Sequence, residues 1–156
     1  MNVVFGSTAY GPLWAPAVSS WLRAVAYASR YFTVQHLGKL GGAGITDRQY
    51  THMAENQLVA DALNHPDVTH LFLTEMDMLL PDDCLTRLVE DDKDMVSGVY
   101  FLRSSRPEGL GKPCLYKRMI TIPGESEYGQ APVSVFPQDR LFTVDCPGVG
   151  CVLIKR

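Results

Sequence analysis

The sequence predicts an α/β protein with a mostly parallel sheet, helices on both faces and an irregular, partly antiparallel C-terminal part. Three observations predict it. Short apolar runs alternate with stretches of helical periodicity, the strand–helix–strand order that builds parallel sheets. Glycine and proline bound those runs, as they bound buried strands. Beyond residue 103 proline and glycine become frequent, and only short extended runs remain.

Residues 2–5 form the first apolar run, closed by Gly6-Ser7. A helix begins near Pro16, since proline is tolerated in a first turn. Val18, Trp21, Leu22, Val25 and Ala26 give it one apolar face. Residues 31–37 are rich in aromatic and β-branched side chains and read as the second strand. A glycine-rich loop over 38–44 follows. Thr46 or Asp47 is the expected cap of a second helix reaching about residue 64, with Tyr50, Met53, Ala54, Leu58, Ala62 and Leu63 as its stripe. Residues 68–74 make the third and most apolar strand. A turn over 75–80 leads to Pro81-Asp82-Asp83, which opens a third helix with its acids at the positive end of the helix dipole. Leu85, Leu88 and Val89 face inward there, and residues 95–102 form the fourth strand. Extended runs follow near 114–122, 133–136, 141–144 and 149–154.

The chain has 156 residues, enough for one domain with a sizeable core, and is 46% hydrophobic and 20% charged. Fourteen basic against 17 acidic residues give a net charge of −3, which argues against a nucleic-acid partner. No Lys/Arg block suits an anionic membrane surface. The four cysteines show no C-x-x-C spacing and read as reduced, small apolar side chains. No apolar stretch reaches the ~18 residues of a membrane span, and no basic region precedes the first apolar run. A cytoplasmic protein without an integral membrane segment is expected.

Glu75 and Asp77 leave the third strand at the carboxyl end of the sheet, where open α/β sheets bind ligands. Carboxylates at such a position need a partner. Two of them one residue apart can converge on one hard cation, Mn2+ or Mg2+, which takes carboxylates together with substrate phosphates. Two solvated acids in a turn are the plain alternative.

The segment THLFLTEMDMLLPDDCLTRLV at 69–89 resembles the metal-site segment of GT-A type glycosyltransferases, the family 2-like nucleotide-diphospho-sugar transferases. These carry an aspartate-any-aspartate motif after a buried strand, then a proline and an amphipathic helix. DMVSGVYFLR at 94–103 and VDCPGVGCVLIKR at 144–156 are similar to later strands of that family, and AENQLV at 54–59 stands where many members have an arginine-asparagine pair. The resemblance covers most of the chain. It implies a Rossmann-like GT-A domain over 1–156, with a nucleotide-sugar-binding half over 1–103 and an incomplete acceptor-side half over 104–156. Glu75 stands where the family has aspartate, and Asp77 at the position that ligates the metal. An acceptor-side acid and a metal-completing histidine are further family features that no position matches.

The resemblance implies sugar transfer from a nucleoside diphosphate to an acceptor hydroxyl. Donor contacts are expected from Ser7, Thr8, Tyr10, Arg48, Asn56, Glu75, Met76 and Arg103. A general base is expected among Glu125, Glu127, Asp139 and Asp145, without a spacing that selects one. His36, His52, His65 and His70 are expected in structural or surface roles. Two other functions fit less of the sequence. A nucleotidyltransferase would carry a basic loop after the first strand, whereas 6–12 reads GSTAYGP. A non-catalytic nucleotide-sugar-binding domain fits the glutamate at position 75.

Overall fold

The structure, a computed structural model, describes residues 1–42, 44–47, 50–102, 111–121, 128–133 and 135–156. The described residues divide into two compact units, 1–98 with 149–156, and 99–148. The last strand thus belongs with the first unit, and the chain passes between the units at 98/99 and again at 148/149.

The first unit is a mixed α/β layer structure. Its strands are β1 (Asn2–Ala9), β2 (Thr33–His36), β3 (Ile45–Asp47), β4 (His70–Glu75), β5 (Met95–Ser97) and β9 (Cys151–Lys155). They form one sheet in the order β2-β1-β4-β9-β5, with β3 beside the far end of β1. β1 runs parallel to β2, β3 and β4. β9 lies antiparallel between β4 and β5.

Helices α1 (Ala15–Ala28), α2 (Thr51–Leu63) and α3 (Cys84–Glu90) cover the sheet. Strand alternation sorts the core onto two faces. Val3, Phe5, Phe72 and Leu153 meet Ala17, Trp21, Ala24 and Ala28 of α1 and Leu85 and Leu88 of α3. Val4, Leu71, Leu73 and Val152 meet Leu58 and Ala62 of α2. His70 shares the first face through its pairing with Val3, opposite to Leu71, and burial holds its imidazole below the usual histidine range.

Several expected elements are displaced. Ser7 and Thr8 belong to β1 rather than to the loop after it, because β3 and β4 extend the ladder to Ser7↔Ile45, Thr8↔Thr46 and Thr8↔Glu75. Thr46 and Asp47 therefore form β3 instead of a helix cap. α2 starts after Tyr50, which makes no side-chain cap bond. The stripe of α2 is narrower than expected: Ala54, Leu58 and Ala62 are buried, whereas Tyr50, Met53 and Leu63 are exposed. In α1 the buried row is Ala17, Trp21, Ala24 and Ala28, and Leu22 points to solvent. The alanines let the helix lie close to the sheet, so small residues carry the face that larger ones were expected to carry. The fourth strand shortens to three residues.

The glycine-rich loop closes in a short 3-10 helix, Leu37–Leu40, capped by the His36 ring accepting from the Gly38 N–H at 3.3 Å. Gly44 adopts φ +66°, and a Cβ there would stand 2.4 Å from the His36 ring. Only glycine fits this turn, whose carbonyl accepts the Ser7 N–H at 2.9 Å.

The second unit holds a three-stranded antiparallel sheet, β7 (Tyr128–Pro132), β6 (Leu115–Thr121) and β8 (Cys146–Pro147), in that order. Phe101, Phe136 and Phe142 form an aromatic row with ring centroids 6.5 and 5.7 Å apart. No described helix is long and apolar enough to cross a membrane.

Candidate functional site

The carboxyl ends of β1 and β4 meet at Thr8 and Glu75, which are paired in the ladder. From there the chain turns through Met76 to Leu80, and three elements hold the turn. The Met76 N–H donates to the Thr8 carbonyl at 3.0 Å, and the Glu75 N–H to the Gly150 carbonyl at 3.2 Å. Behind it, the Trp21 indole N–H donates to the Met78 carbonyl at 2.9 Å. The Ser20 hydroxyl accepts from the Leu80 N–H at 3.0 Å. The acidic turn is therefore strapped to β1, β9 and α1 before any ligand arrives. Such preorganisation is what a binding loop needs.

Glu75 is half-buried, and its carboxyl is raised above the usual range by burial first and by the Asp77 charge second. Glu55 of α2 is also raised, by burial and then by Glu75. In both, burial is the larger cause and the neighbouring carboxylate adds to it. On the same sheet face, Thr8 and Thr46 are each 3% exposed, and their hydroxyl oxygens have no hydrogen-bond partner among the described residues. Their ladder pairing sets Thr46, Thr8 and Glu75 in one row across three strands. Buried hydroxyls left unpaired are uncommon, and a row of them beside carboxylates is a polar niche for oxygen-rich or cationic groups.

Thr8, Tyr10, Glu75, Met76 and Asp77 come together at this end of the sheet; the Tyr10 N–H lies 3.1 Å from Met76 Sδ. Ser7 is fully buried on the opposite face from Thr8. Asn56 points to solvent, and Glu55 faces the site in its stead. Glu55 was findable in principle, one position after Ala54 on the buried row. A carboxylate on a helix face, however, ordinarily signals solvent. Arg48, Arg103, Glu125 and Glu127 lie outside the described residues. Asp139 and Asp145 are exposed in the second unit.

On the α1 face a cavity of about 270 Å³ opens beside the middle of β1 and the end of β2. Phe5, Val18, Trp21 and Val34 make its apolar walls, and Gln35 and His36 lie at its edge. Burial lowers the His36 pKa, so the ring that caps Gly38 is neutral.

Among the described residues no group of three or more His, Cys, Asp and Glu side chains is arranged to hold a metal ion. A closed protein cage is thus not what Glu75 and Asp77 offer. Their all-oxygen donor set fits a hard cation whose remaining positions are filled by phosphate and water.

No family model matches the chain, and no curated protein matches it. Among solved structures it is similar to the crystal structure of A197 from STIV, with a TM-score of 0.55 and 15% identity over 100% of this chain. The chain spans 65% of the length of that protein. A likeness at this identity concerns the fold, and it agrees with a mixed α/β architecture.

Proposed function

We propose that the chain binds a nucleoside-diphosphate sugar in a Rossmann-like GT-A domain and transfers its sugar to an acceptor hydroxyl, with a divalent ion at Asp77. The observation that carries this reading is the acidic turn itself. It offers two carboxylates at the carboxyl end of a central strand and is held from behind by Trp21 and Ser20. The apolar cavity beside the middle of β1 and the end of β2 supports it, being large enough for a flat base against Phe5 and Trp21.

In this reading Asp77 is the direct ligand. Glu75, its carboxyl raised by burial and then by Asp77, hydrogen-bonds a ribose or sugar hydroxyl. Thr8 and Thr46 supply the unused hydroxyls behind it. The bound ion, Mn2+ or Mg2+, supplies charge stabilisation for the departing diphosphate. Trp21 and Ser20 keep the turn from moving as that charge develops, so little reorganisation is needed.

Titration calorimetry with manganese and uridine or guanosine diphosphate tests the reading. Asp77→Ala removes the metal-dependent part of the affinity; an unchanged affinity sinks the assignment. The second reading, donor binding without turnover, is favoured by the glutamate at position 75, where the resembling family has aspartate. Release of diphosphate from a nucleotide-sugar in the presence of the chain separates the two.

A further inference from the structure

Two thiols outside the acidic site lie against each other. Cys84, the first residue of α3, and Cys151, the first of β9, have their sulfurs 3.6 Å apart. Cys151 is buried between β4 and β5, directly opposite Thr74 in the ladder. Cys84 is half-buried, at the end of the segment that begins at Glu75. Both are free thiols.

We propose that Cys84 and Cys151 form a dithiol–disulfide switch that staples the Glu75–Asp83 segment to the sheet. The argument is topological. Thr74 is paired with Cys151, and ten residues later Cys84 returns to touch Cys151. A bond between the sulfurs closes a ring around the acidic turn that is covalent at the disulfide and held by strand pairing at Thr74 and Cys151. Closure needs the sulfurs to move from 3.6 Å to the ~2.05 Å of a disulfide. Cys151 is fixed in the middle of the sheet, so the adjustment falls on Cys84, at the end of a short helix. This inference does not depend on what the acidic turn binds.

The chemistry is thiol–disulfide exchange with a small disulfide such as oxidised glutathione. Cys84, the more exposed sulfur, loses its proton to solvent and attacks the reagent, whose S–S bond breaks to release one thiol. Cys151, deprotonated in turn, attacks Cys84 Sγ, forms the protein disulfide and expels the second thiol. The protein loses two electrons and two protons, and the reagent gains them as two thiols. Cys151 is the resolving group by position, its sulfur 3.6 Å from Cys84 Sγ. The same contact raises Cys84, so the first step is the slow one and accelerates with pH.

The test incubates the whole chain at graded ratios of reduced and oxidised glutathione. The sample is then acid-quenched, alkylated and mapped by mass spectrometry without reduction. The expected product joins the Cys84 and Cys151 peptides while Cys114 and Cys146 stay alkylatable. The melting temperature rises by on the order of 5–15 °C on oxidation. Amide exchange over 76–83 slows by about tenfold. Cys84→Ser abolishes both changes and Cys114→Ser leaves them. The proposal is overturned if Cys84 and Cys151 remain alkylatable at every ratio. It also falls if glutathione stays on Cys84 as a stable adduct, or if the bridge joins other cysteines. Mapping the unmodified chain needs no variant, so a poorly folding Cys84→Ser leaves the test intact.

Discussion

Replacing Trp21 by phenylalanine removes the one indole N–H that holds the acidic turn from behind. Trp21 is 4% exposed, sits edge-on to Phe5 at 5.8 Å and donates to the Met78 carbonyl at 2.9 Å. Losing that bond costs ~1 kcal/mol on average, and more when the carbonyl stays buried without a partner. Ser20 Oγ lies 3.4 Å from that carbonyl, but its one proton goes to the Ala17 carbonyl at 2.7 Å, so it offsets little of the loss. The smaller ring leaves a void of roughly 40 Å³, and at ~24 cal/mol per Å³ that adds about 1 kcal/mol. The sum is about 2–3 kcal/mol. For a chain of this length it lowers the melting temperature by roughly 4–12 °C. Urea unfolding gives the energy, and hydrogen exchange gives the place. The amides of Met78 and Leu80 lose protection beyond the global change, while those in the middle of α1 follow it. A destabilisation below about 0.5 kcal/mol, the spread of ordinary surface changes, refutes the reasoning. So does a loss of protection spread evenly over the unit.

Leu58→Ala, at a side chain with no exposure that lies under Gly6, costs about 2–5 kcal/mol by urea unfolding. A smaller cost means that α2 settles onto the glycine. Glu75→Gln stabilises the chain near neutral pH. The Glu75 carboxyl is raised in the folded state by burial and then by Asp77, so between the ordinary and the raised value the native chain holds a proton that the unfolded chain has released. Stability therefore falls as pH rises from the ordinary glutamate value through the raised one, and is fully present below that window. The glutamine variant loses this part of the slope in a pH series of urea midpoints; parallel curves refute it.

The core pattern was legible because long apolar runs leave few options: β1, β4 and α1 appear where periodicity puts them. β1 was read too short because Gly6-Ser7-Thr8 is a polar, loop-like string. What keeps it extended is the pairing of Ser7 and Thr8 with strands about 40 and 70 residues away, which no local window contains. The same holds for β3. Thr46 and Asp47 are good capping residues by type, but β1 offers them a ladder. The neighbour of β4 was also not readable. Four alternating strands suggest that the fourth lies beside the third, whereas β9, encoded some 50 residues after β5, takes that place. At the site, Glu75 and Asp77 were visible because carboxylates after an apolar strand break the pattern. Glu55 was not, since its proximity to Glu75 depends on the packing of α2 over the sheet.

That late neighbour shapes how the unit is made. Until residues 151–155 are available, the backbone of β4 presents an open edge along Leu71, Phe72 and Leu73, all buried in the finished sheet. β5 has no described partner except β9, so it too waits. The nascent chain therefore carries a hydrophobic strand with one edge unpaired through the synthesis of the whole second unit. An open edge of this kind invites pairing with other chains. Folding should be governed by the arrival of a five-residue strand rather than by the helices that precede it.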